Sequence, residues 1–480
     1  MQATAQQLEC VRRSDAGDDL VVNAGPGSGK TTLLFLISNS KPGQPIVNFC
    51  FNKSTKLHAD ATMPSWVKNY TFHGAAYAYC GKYYNRKLNI RLNPKVIAVK
   101  FGCDDSTAVA AKYAIRRYCT SDDGAITGWH VPKEAVLARD EKDRETFKDD
   151  VVTVARKTWL ASMNDFKNLE FGVEHDMYAK LWVEEGAPLT GRYAKVLVDE
   201  CQDMVRANVK ALRRIPGQKI CVGDRNQQLY DYRCTVNVAD EMNFDAILDL
   251  TISHRFGPEI ADVANSVLDL FPTKQPHLTG VGMHSEIAYG RCNERHAVLC
   301  RSNGGLLSET LNTVRSGKRV HVVGSLIDSI LMLESAWYLS IGENQRVKHP
   351  TLKMIDDWNV VLEMAKEDQE LAMAVKRVEE YSSEIPYICE ELRYAGETSR
   401  DRADVILSTV HKAKGDEFDV VRLADDFPDL VRWNRKERRY LPMKGELCVF
   451  FVAVTRAKRK LYTNSTMMQL KTWKEMLSDD

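Results

Sequence analysis

Residues 20–38 read LVVNAGPGSGKTTLLFLIS. An apolar run, LVVNA, passes into a glycine-rich stretch ending in Lys-Thr-Thr, and an apolar helical start follows. That order predicts strand, loop and helix, the setting in which a GxxxxGK[ST]-type segment wraps phosphate. Backbone N–H groups of Gly25, Gly27, Ser28, Gly29 and Lys30 can surround phosphate oxygens, and the helix adds its positive N-terminal end. Pro26 has no N–H and only shapes the loop. Lys30 is expected to neutralise the β- and γ-phosphates and Thr31 to hold Mg²⁺, with Thr32 beside it in the nucleotide-binding set. Ala24 stands in the first glycine position of the usual pattern.

Working outward, similar short apolar runs recur. IVNFCF (46–51), KVLVDE (195–200) and KICVGD (219–224) join LVVNA in one set. AVLCR (297–301), RVHVVG (319–324), DVILST (404–409) and KLYTN (460–464) form another. Continuous apolar strands alternating with helical patterns imply parallel sheets covered on both faces, so an α/β class with two sheet domains is expected. Residues 81–187 and 326–400 carry helical spacing instead and read as helical insertions.

At 480 residues the chain suits two to four domains. Its hydrophobic fraction of 44% and charged fraction of 27% are those of a globular protein. No apolar run is long enough to span a bilayer, and MQATAQQLEC lacks the basic start and apolar core of a secretory signal. A cytoplasmic location without membrane association is therefore expected. The 12 cysteines are scattered, none in a CxxC pair, and read as small buried hydrophobes in a reducing compartment. The formal net charge of +1 leaves nucleic-acid binding open, because a neutral chain can concentrate cations locally.

VLVDECQD (196–203) is an apolar strand ending in acids. Asp199 can bind Mg²⁺ through water, and Glu200 can polarise a water in line with a γ-phosphate. In VGDRNQQLYDYR (222–233), Gln227 follows a strand end, where it can sense the γ-phosphate or its attacking water. Tyr230 and Tyr232 are either base-stacking platforms or core residues. Arg255 in SHRFG and Arg456 in FFVAVTRAKRKL, which reads as helical there, are candidates to stabilise spreading phosphoryl charge. RWNRKERRY (432–440) either contacts phosphates or is a solvated basic loop.

DECQD, GDRNQQLYDYR, STVHKAKGDEFD (408–419) and VAVTRA (452–457) resemble, in order and spacing, the motifs of superfamily 1A helicases of the UvrD/Rep/PcrA type. HDMYAKLW (175–182), SHRFG, HKAKGDEFD and LADDF (423–427) look nearest the F-box DNA helicase branch. The Ala-Gly start of the phosphate loop is shared with that family. The resemblance implies two RecA-like motor domains, 1A (1–80 and 188–250) and 2A (251–325 and 401–480). Insertions 1B (81–187) and 2B (326–400) would interrupt them, with ATP and Mg²⁺ used between the motors. It implies that Gln7, with Gln6 as a substitute, reads adenine, that Gly415 approaches the γ-phosphate, and that Glu417 holds the ribose. Arg255 and Arg456 would be trans-domain arginines. Phe51, Asn52, Thr71, His73, Tyr230, Tyr232, Arg233 and His411 would line a single-stranded DNA track.

Two departures stand out. His254 occupies the place of an aromatic residue stacked on adenine, and Leu447 and Cys448 replace an arginine pair. The chain starts at the adenine-reading motif and ends soon after Arg456, so neither an F-box nor a fused nuclease is expected. The implied activity is a monomeric, ATP-driven 3′→5′ translocase on single-stranded DNA that unwinds duplex junctions, with replication or recombination proteins as partners. The alternatives are a translocase that strips bound proteins with little unwinding, and an ATP-switched adaptor or loader.

Overall fold

The computed structural model describes residues 3–478 except 138, 165–168, 230–234, 354, 356, 366–368 and 396–397. The chain divides into two compact units, one of residues 1–25 and 29–250, the other of 26–28 and 251–480.

The first unit is built on six strands: β1 (Leu20–Ala24), β2 (Ile46–Phe49), β3 (Val67–Tyr70), β4 (Lys195–Asp199), β5 (Gln218–Gly223) and β6 (Ala246–Leu250). Their spatial order is β3-β2-β4-β5-β1-β6, every pair parallel. Because side chains alternate across a strand, each apolar run feeds two cores. Leu20, Val22, Leu197, Ile220 and Val222 join Cys10, Leu33 and Ile37 of helices Ala5–Ala16 and Lys30–Ser40 on one face. Val21, Val47, Phe49, Val196, Val198 and Cys221 join the helices between 72 and 214 on the other. Burying each such side chain contributes about 1.5–3 kcal/mol, which is why the central strands read as unbroken apolar runs.

The described residues of 81–187 form helices joined by turns, the longest being Asp105–Thr120 and Arg144–Met163. Ala108, Ala111, Ile115 and Cys119 recur at helical spacing along the buried face of the former, and small alanines admit Val151, Ala155 and Thr158 of the latter. Asp104 caps the first helix by accepting the Thr107 N–H at 2.8 Å. Two buried lysines close carbonyl ends: Lys87 donates to Ser162 O at 2.5 Å, and Lys180 to Ser121 O and Asp123 O at 2.7 Å each.

The second unit holds β7 (Glu286–Ala288), β8 (His296–Cys300), β9 (Val320–Val322), β10 (Val405–Thr409), β11 (Phe418–Leu423) and β12 (Ala457–Tyr462). Their order is β7-β12-β11-β8-β10-β9, again all parallel. Helices Asn303–Arg315, Ile327–Ser340, Gln369–Tyr381 and Ile385–Ala395 supply Leu311, Leu333, Val375 and Ile388 to the core under β8, β9 and β10. Two parallel sheets with helices are the expected α/β, RecA-like class. No described helix is long and apolar enough to cross a membrane.

Three expectations are corrected. The last strand begins at Ala457, not Lys460, and Arg456 lies beyond the helix Lys444–Val454, not on it. The Thr455 N–H still closes the helix on Phe451 O at 3.1 Å, but Arg456 O already accepts the Phe418 N–H of β11 at 3.0 Å, so sheet pairing takes over there. The basic run is not a loop throughout: strands Val431–Asn434 and Arg439–Pro442 pair antiparallel as a hairpin.

Candidate active site

The phosphate-type loop leaves β1 with the Gly25 N–H donated to Leu250 O at 3.0 Å. Gly27 (φ 72°) and Gly29 (φ 82°) then take left-handed backbone, which a β-carbon disfavours. The helix begins at Lys30 with Gly29 as N-cap and no side-chain cap, so its first N–H groups face outward as a ready anion site. Gln7 closes the loop from behind. Its Oε1 accepts Thr4 N at 3.0 Å in a capping box, and its Nε2 donates to Gly29 O at 3.3 Å.

β4 and β5 end side by side, Asp199 in register with Val222. Lys30 Nζ lies 2.9 Å from Glu200 Oε1. Glu200 has φ 52° and ψ 46°, a left-handed backbone that a non-glycine residue adopts at a cost of about 1–3 kcal/mol. Its N–H is held by Asp199 Oδ1 at 3.0 Å, and its Oε2 accepts from Gln202 Nε2. Gln202, 1% exposed, accepts the Asp224 N–H on its Oε1 at 3.0 Å. Asp224 Oδ2 in turn accepts from Gln227 Nε2 at 2.7 Å. A chain of hydrogen bonds therefore runs from the Lys30 ammonium through Glu200, Gln202 and Asp224 to Gln227.

Burial works against the charge on Lys30, but the carboxylates of Glu200, Asp199 and Asp224 outweigh it and hold the ammonium above the ordinary lysine value. Burial pushes the Asp224 carboxyl up, opposed by Lys30 and by the bond from Gln227. Three carboxylates around one ammonium suit a site that takes an anion together with a divalent cation. The loop and helix end fit the phosphates of a nucleoside triphosphate, and Thr31 with Asp199 fits Mg²⁺.

A cleft of about 860 Å³, open mouth included, reaches from Asp199 and Glu200 past Asp203 to Phe51, Thr71, His73 and Asp176. Phe51, Thr71 and His73, expected on the strand track, line this cleft, whereas Asn52 is not among its lining residues. Thr71 caps helix Phe72–Tyr79 by accepting Gly74 N at 2.9 Å, and His73 Nε2 meets Asp176 Oδ1 at 2.7 Å. Asn52 caps helix Lys53–Thr62 through Thr55 N at 2.8 Å, and Phe51 is 38% exposed. Tyr230, Tyr232 and Arg233 lie outside the described residues.

In the second unit, Arg255 donates from Nε to Glu417 Oε1 at 2.8 Å and from Nη1 to Thr455 O at 2.8 Å. Arg456, 2% exposed, donates to Val452 O and Asp416 O. Arg255, Glu417 and Arg456 thus meet at one end of the sheet, just before β11 and β12. Gly415 has φ 95° with open space around its Cα, and His254 is exposed. His411 follows β10 at the opposite, carboxyl edge. Leu447 and Cys448 are buried in helix Lys444–Val454, facing the core.

Sequence reading missed Gln202, Asp224 and Asp176. All three sit inside motifs given above, but only the pairing of β4 with β5 gives Gln202 and Asp224 a shared task, and only the approach of its helix to His73 gives Asp176 one.

Residues 7–233 match the AAA domain family, and 326–467 match the UvrD-like helicase C-terminal domain. The chain is 27% identical over 502 aligned positions to F-box DNA helicase 1 of Gallus gallus, covering 97% of this chain and 49% of that protein. It is 28% identical over 516 to F-box DNA helicase protein 1 of Schizosaccharomyces pombe, covering 96% and 57%. It therefore spans about half the length of the curated relatives it matches. The solved PRRSV helicase aligns over 97% of this chain and 55% of its own, with 12% identity and a TM-score of 0.34. With both domains matched in this order and helicase relatives aligned along nearly all of its length, the chain is similar to the UvrD-like helicases.

Proposed function

We propose that this chain is an ATP-dependent 3′→5′ single-stranded DNA translocase and DNA helicase, with 1–80 and 188–250 as one motor domain and 251–325 and 401–480 as the other. Residues 81–187 and 326–400 are their insertions. The observation that carries the reading is the bonded series Lys30–Glu200–Gln202–Asp224–Gln227, in a unit whose cleft opens from Glu200 toward Thr71 and His73. The DNA helicase relatives support the substrate class.

Mg²⁺-ATP, when bound, supplies the phosphoanhydride whose hydrolysis drives movement. Lys30 gives up Glu200 as its counter-ion for phosphate oxygens. Glu200, released at Oε1 and steadied at Oε2 by Gln202, orients a water and accepts its proton. Gln227 is held by Asp224 so that its amide faces the same reacting region. Gln7 steadies the loop and reads the base, with His254 stacking on it; Gly415 and Glu417 complete the nucleotide contacts. Arg255 and Arg456 stabilise the charge that spreads over the transferring phosphoryl group. Thr71, His73 and His411, with Phe51 and Asn52, hold successive nucleotides. Melting one base-pair step costs roughly 1–2 kcal/mol, little beside the fuel, so grip and timing set the output.

Strand displacement on 3′- and 5′-tailed duplexes, with Lys30→Ala as control, tests the proposal. Unwinding from the 3′ tail alone is expected. Unwinding only from the 5′ tail overturns the polarity, DNA-stimulated hydrolysis without displacement favours protein stripping, and hydrolysis indifferent to DNA favours an adaptor.

A further inference from the structure

The chain carries 66 basic and 65 acidic residues, yet residues 431–442, VRWNRKERRYLP, hold five basic residues and one acid. Arg432 pairs across the ribbon with Leu441, Trp433 with Tyr440, and Asn434 with Arg439. Alternation puts Val431, Trp433, Tyr440 and Pro442 on one face and Arg432, Asn434, Arg439 and Leu441 on the other. Arg435, Lys436 and Arg438 occupy the turn.

This turn is preorganised. Asn434 Oδ1 accepts the N–H groups of Lys436 at 2.9 Å and Glu437 at 3.2 Å, and Asn434 O accepts that of Arg438 at 2.8 Å. Arg438 itself stands at φ 55°. The single acid, Glu437, is taken by Arg439 at 2.5 Å. Among the described residues no carboxylate comes within 4 Å of the exposed Arg432, Arg435, Lys436 or Arg438. Trp433 is 50% exposed, its ring 5.1 Å from Tyr440 and inclined at 69°. Val431 is buried, and Met443 N returns to Leu430 O at 2.8 Å, so the base of the ribbon is fixed while its tip projects.

The ribbon leaves the carboxyl edge of the second sheet. It follows β11 and precedes helix Lys444–Val454, whose first turn is tied to that edge by Arg301 on Glu446 at 2.6 and 2.7 Å. His411 lies at the same edge, after β10, whereas Arg255, Glu417 and Arg456 lie at the other.

From these observations we infer that the hairpin 431–442 is a duplex DNA contact, distinct from the single-strand track. Arg432, Arg435, Lys436 and Arg438 engage backbone phosphates, and Trp433 packs against the sugar-base edge or a terminal pair. A two-stranded ribbon fits the major groove of B-form DNA, while the deep, narrow major groove of A-form RNA does not admit it. The inference rests on the helicase reading, which brings DNA to the edge that carries His411.

Fluorescence anisotropy tests it, with a 20-base-pair DNA duplex, the RNA duplex of the same sequence and a dT oligonucleotide as probes over a salt series. The variant is Arg435→Glu/Arg438→Glu, with Arg435→Gln/Arg438→Gln as the milder form; both alter only exposed turn residues. For the DNA duplex, the double reversal is expected to lower affinity about tenfold or more. The slope of log K against log salt should fall by about 2, roughly 0.9 for each phosphate no longer neutralised. Affinity for dT and dT-stimulated ATP hydrolysis should persist. Unchanged duplex affinity and slope overturn the proposal. Equal losses on dT place the hairpin on the single-strand track and also overturn it, and equal losses on duplex RNA overturn the B-form assignment. If wild-type hydrolysis is indifferent to every nucleic acid, the helicase reading falls, and this inference with it.

Discussion

Gln202→Leu is the perturbation that isolates the wiring of the first unit from its nucleotide contacts. The wild-type side chain makes two bonds, one to the Glu200 carboxylate and one from the Asp224 N–H, and is 1% exposed. Leucine fills similar volume and makes neither. Loss of a hydrogen bond to a charged group removes about 1.5–3 kcal/mol, and an orphaned buried N–H costs about 1–3 kcal/mol. Leucine's extra apolar burial offsets part of this, which leaves a net destabilisation of about 2–4 kcal/mol. For catalysis the relevant share is the first, because Glu200 is held in a left-handed conformation that its Gln202 bond helps sustain. A loss of about 1.5–3 kcal/mol in the hydrolytic step is about a 10- to 150-fold fall in kcat. KM for ATP should change less than about twofold, since Gln202 reaches Glu200 and Asp224 rather than the loop. Steady-state phosphate release with a parallel urea melt measures both quantities. Gln202→Glu sharpens the test: ionised, it offers Glu200 no donor and repels its carboxylate, so its deficit should exceed that of leucine. A lowered melting midpoint with kcat unchanged refutes the positioning role. A raised KM at constant kcat refutes it equally.

The remaining expectations concern fuel, acid and burial. Lys30→Ala should reduce ATP hydrolysis by about a thousandfold or more, the scale on which charge stabilisation acts in phosphoryl transfer, as a coupled phosphate assay reads directly. His130 is buried, its Nδ1 accepting Thr127 N at 3.0 Å, and burial holds its pKa below the ordinary value against the pull of Asp123. A depressed value means stability that is fully present above about pH 6.5 and is lost as pH falls through the folded value. Thermal melts from pH 7.5 to 5 should show that loss, and His130→Gln should flatten it. Lys180→Met removes the donor to Ser121 O and Asp123 O, but Glu184 keeps Lys210 at 2.9 Å. The cost should therefore be about 1–3 kcal/mol from the two carbonyls, below the larger loss of an unpaired buried charge, as measured by urea unfolding.

How far the fold could be read depended on burial. β1, β2, β4 and β5 lie inside the sheet with helices on both faces, and they stand out as apolar runs. β3 and β6 are its edges: Lys68 is exposed between Val67 and Asn69, and Ile247 is 54% exposed, so neither has the continuous pattern. β11 is interior but carries Asp419 and Arg422, the latter neutralised by Glu309, a partner more than 100 residues away. In VTRAKRKL, the apolar helix runs straight into a charged stretch, and nothing local announces that it ends at Val454, where pairing with β11 takes over. The site divides the same way. Lys30, Asp199 and Glu200 announce themselves because each sits at the end of a local strand–turn pattern. Gln202 and Asp224 acquire meaning only when β4 and β5 become neighbours, and Asp176 only when its helix reaches His73.

Net charge was the least informative property of the sequence, and the structure supplies the reason. Its near-balance hides two excesses of opposite sign. In the first unit three carboxylates crowd one ammonium beneath the loop; in the second, the hairpin sets five cations against one acid. They should respond to salt differently. At about 0.15 M ionic strength the Debye length is near 8 Å, so exposed hairpin charges are screened while the pairs around Lys30, at 2.9 Å and largely shielded from solvent, are not. Raising salt should thus weaken duplex affinity steeply while the KM for ATP holds nearly constant at saturating dT. A KM that climbed in step with the loss of duplex binding would mean that the two charge clusters act as one site.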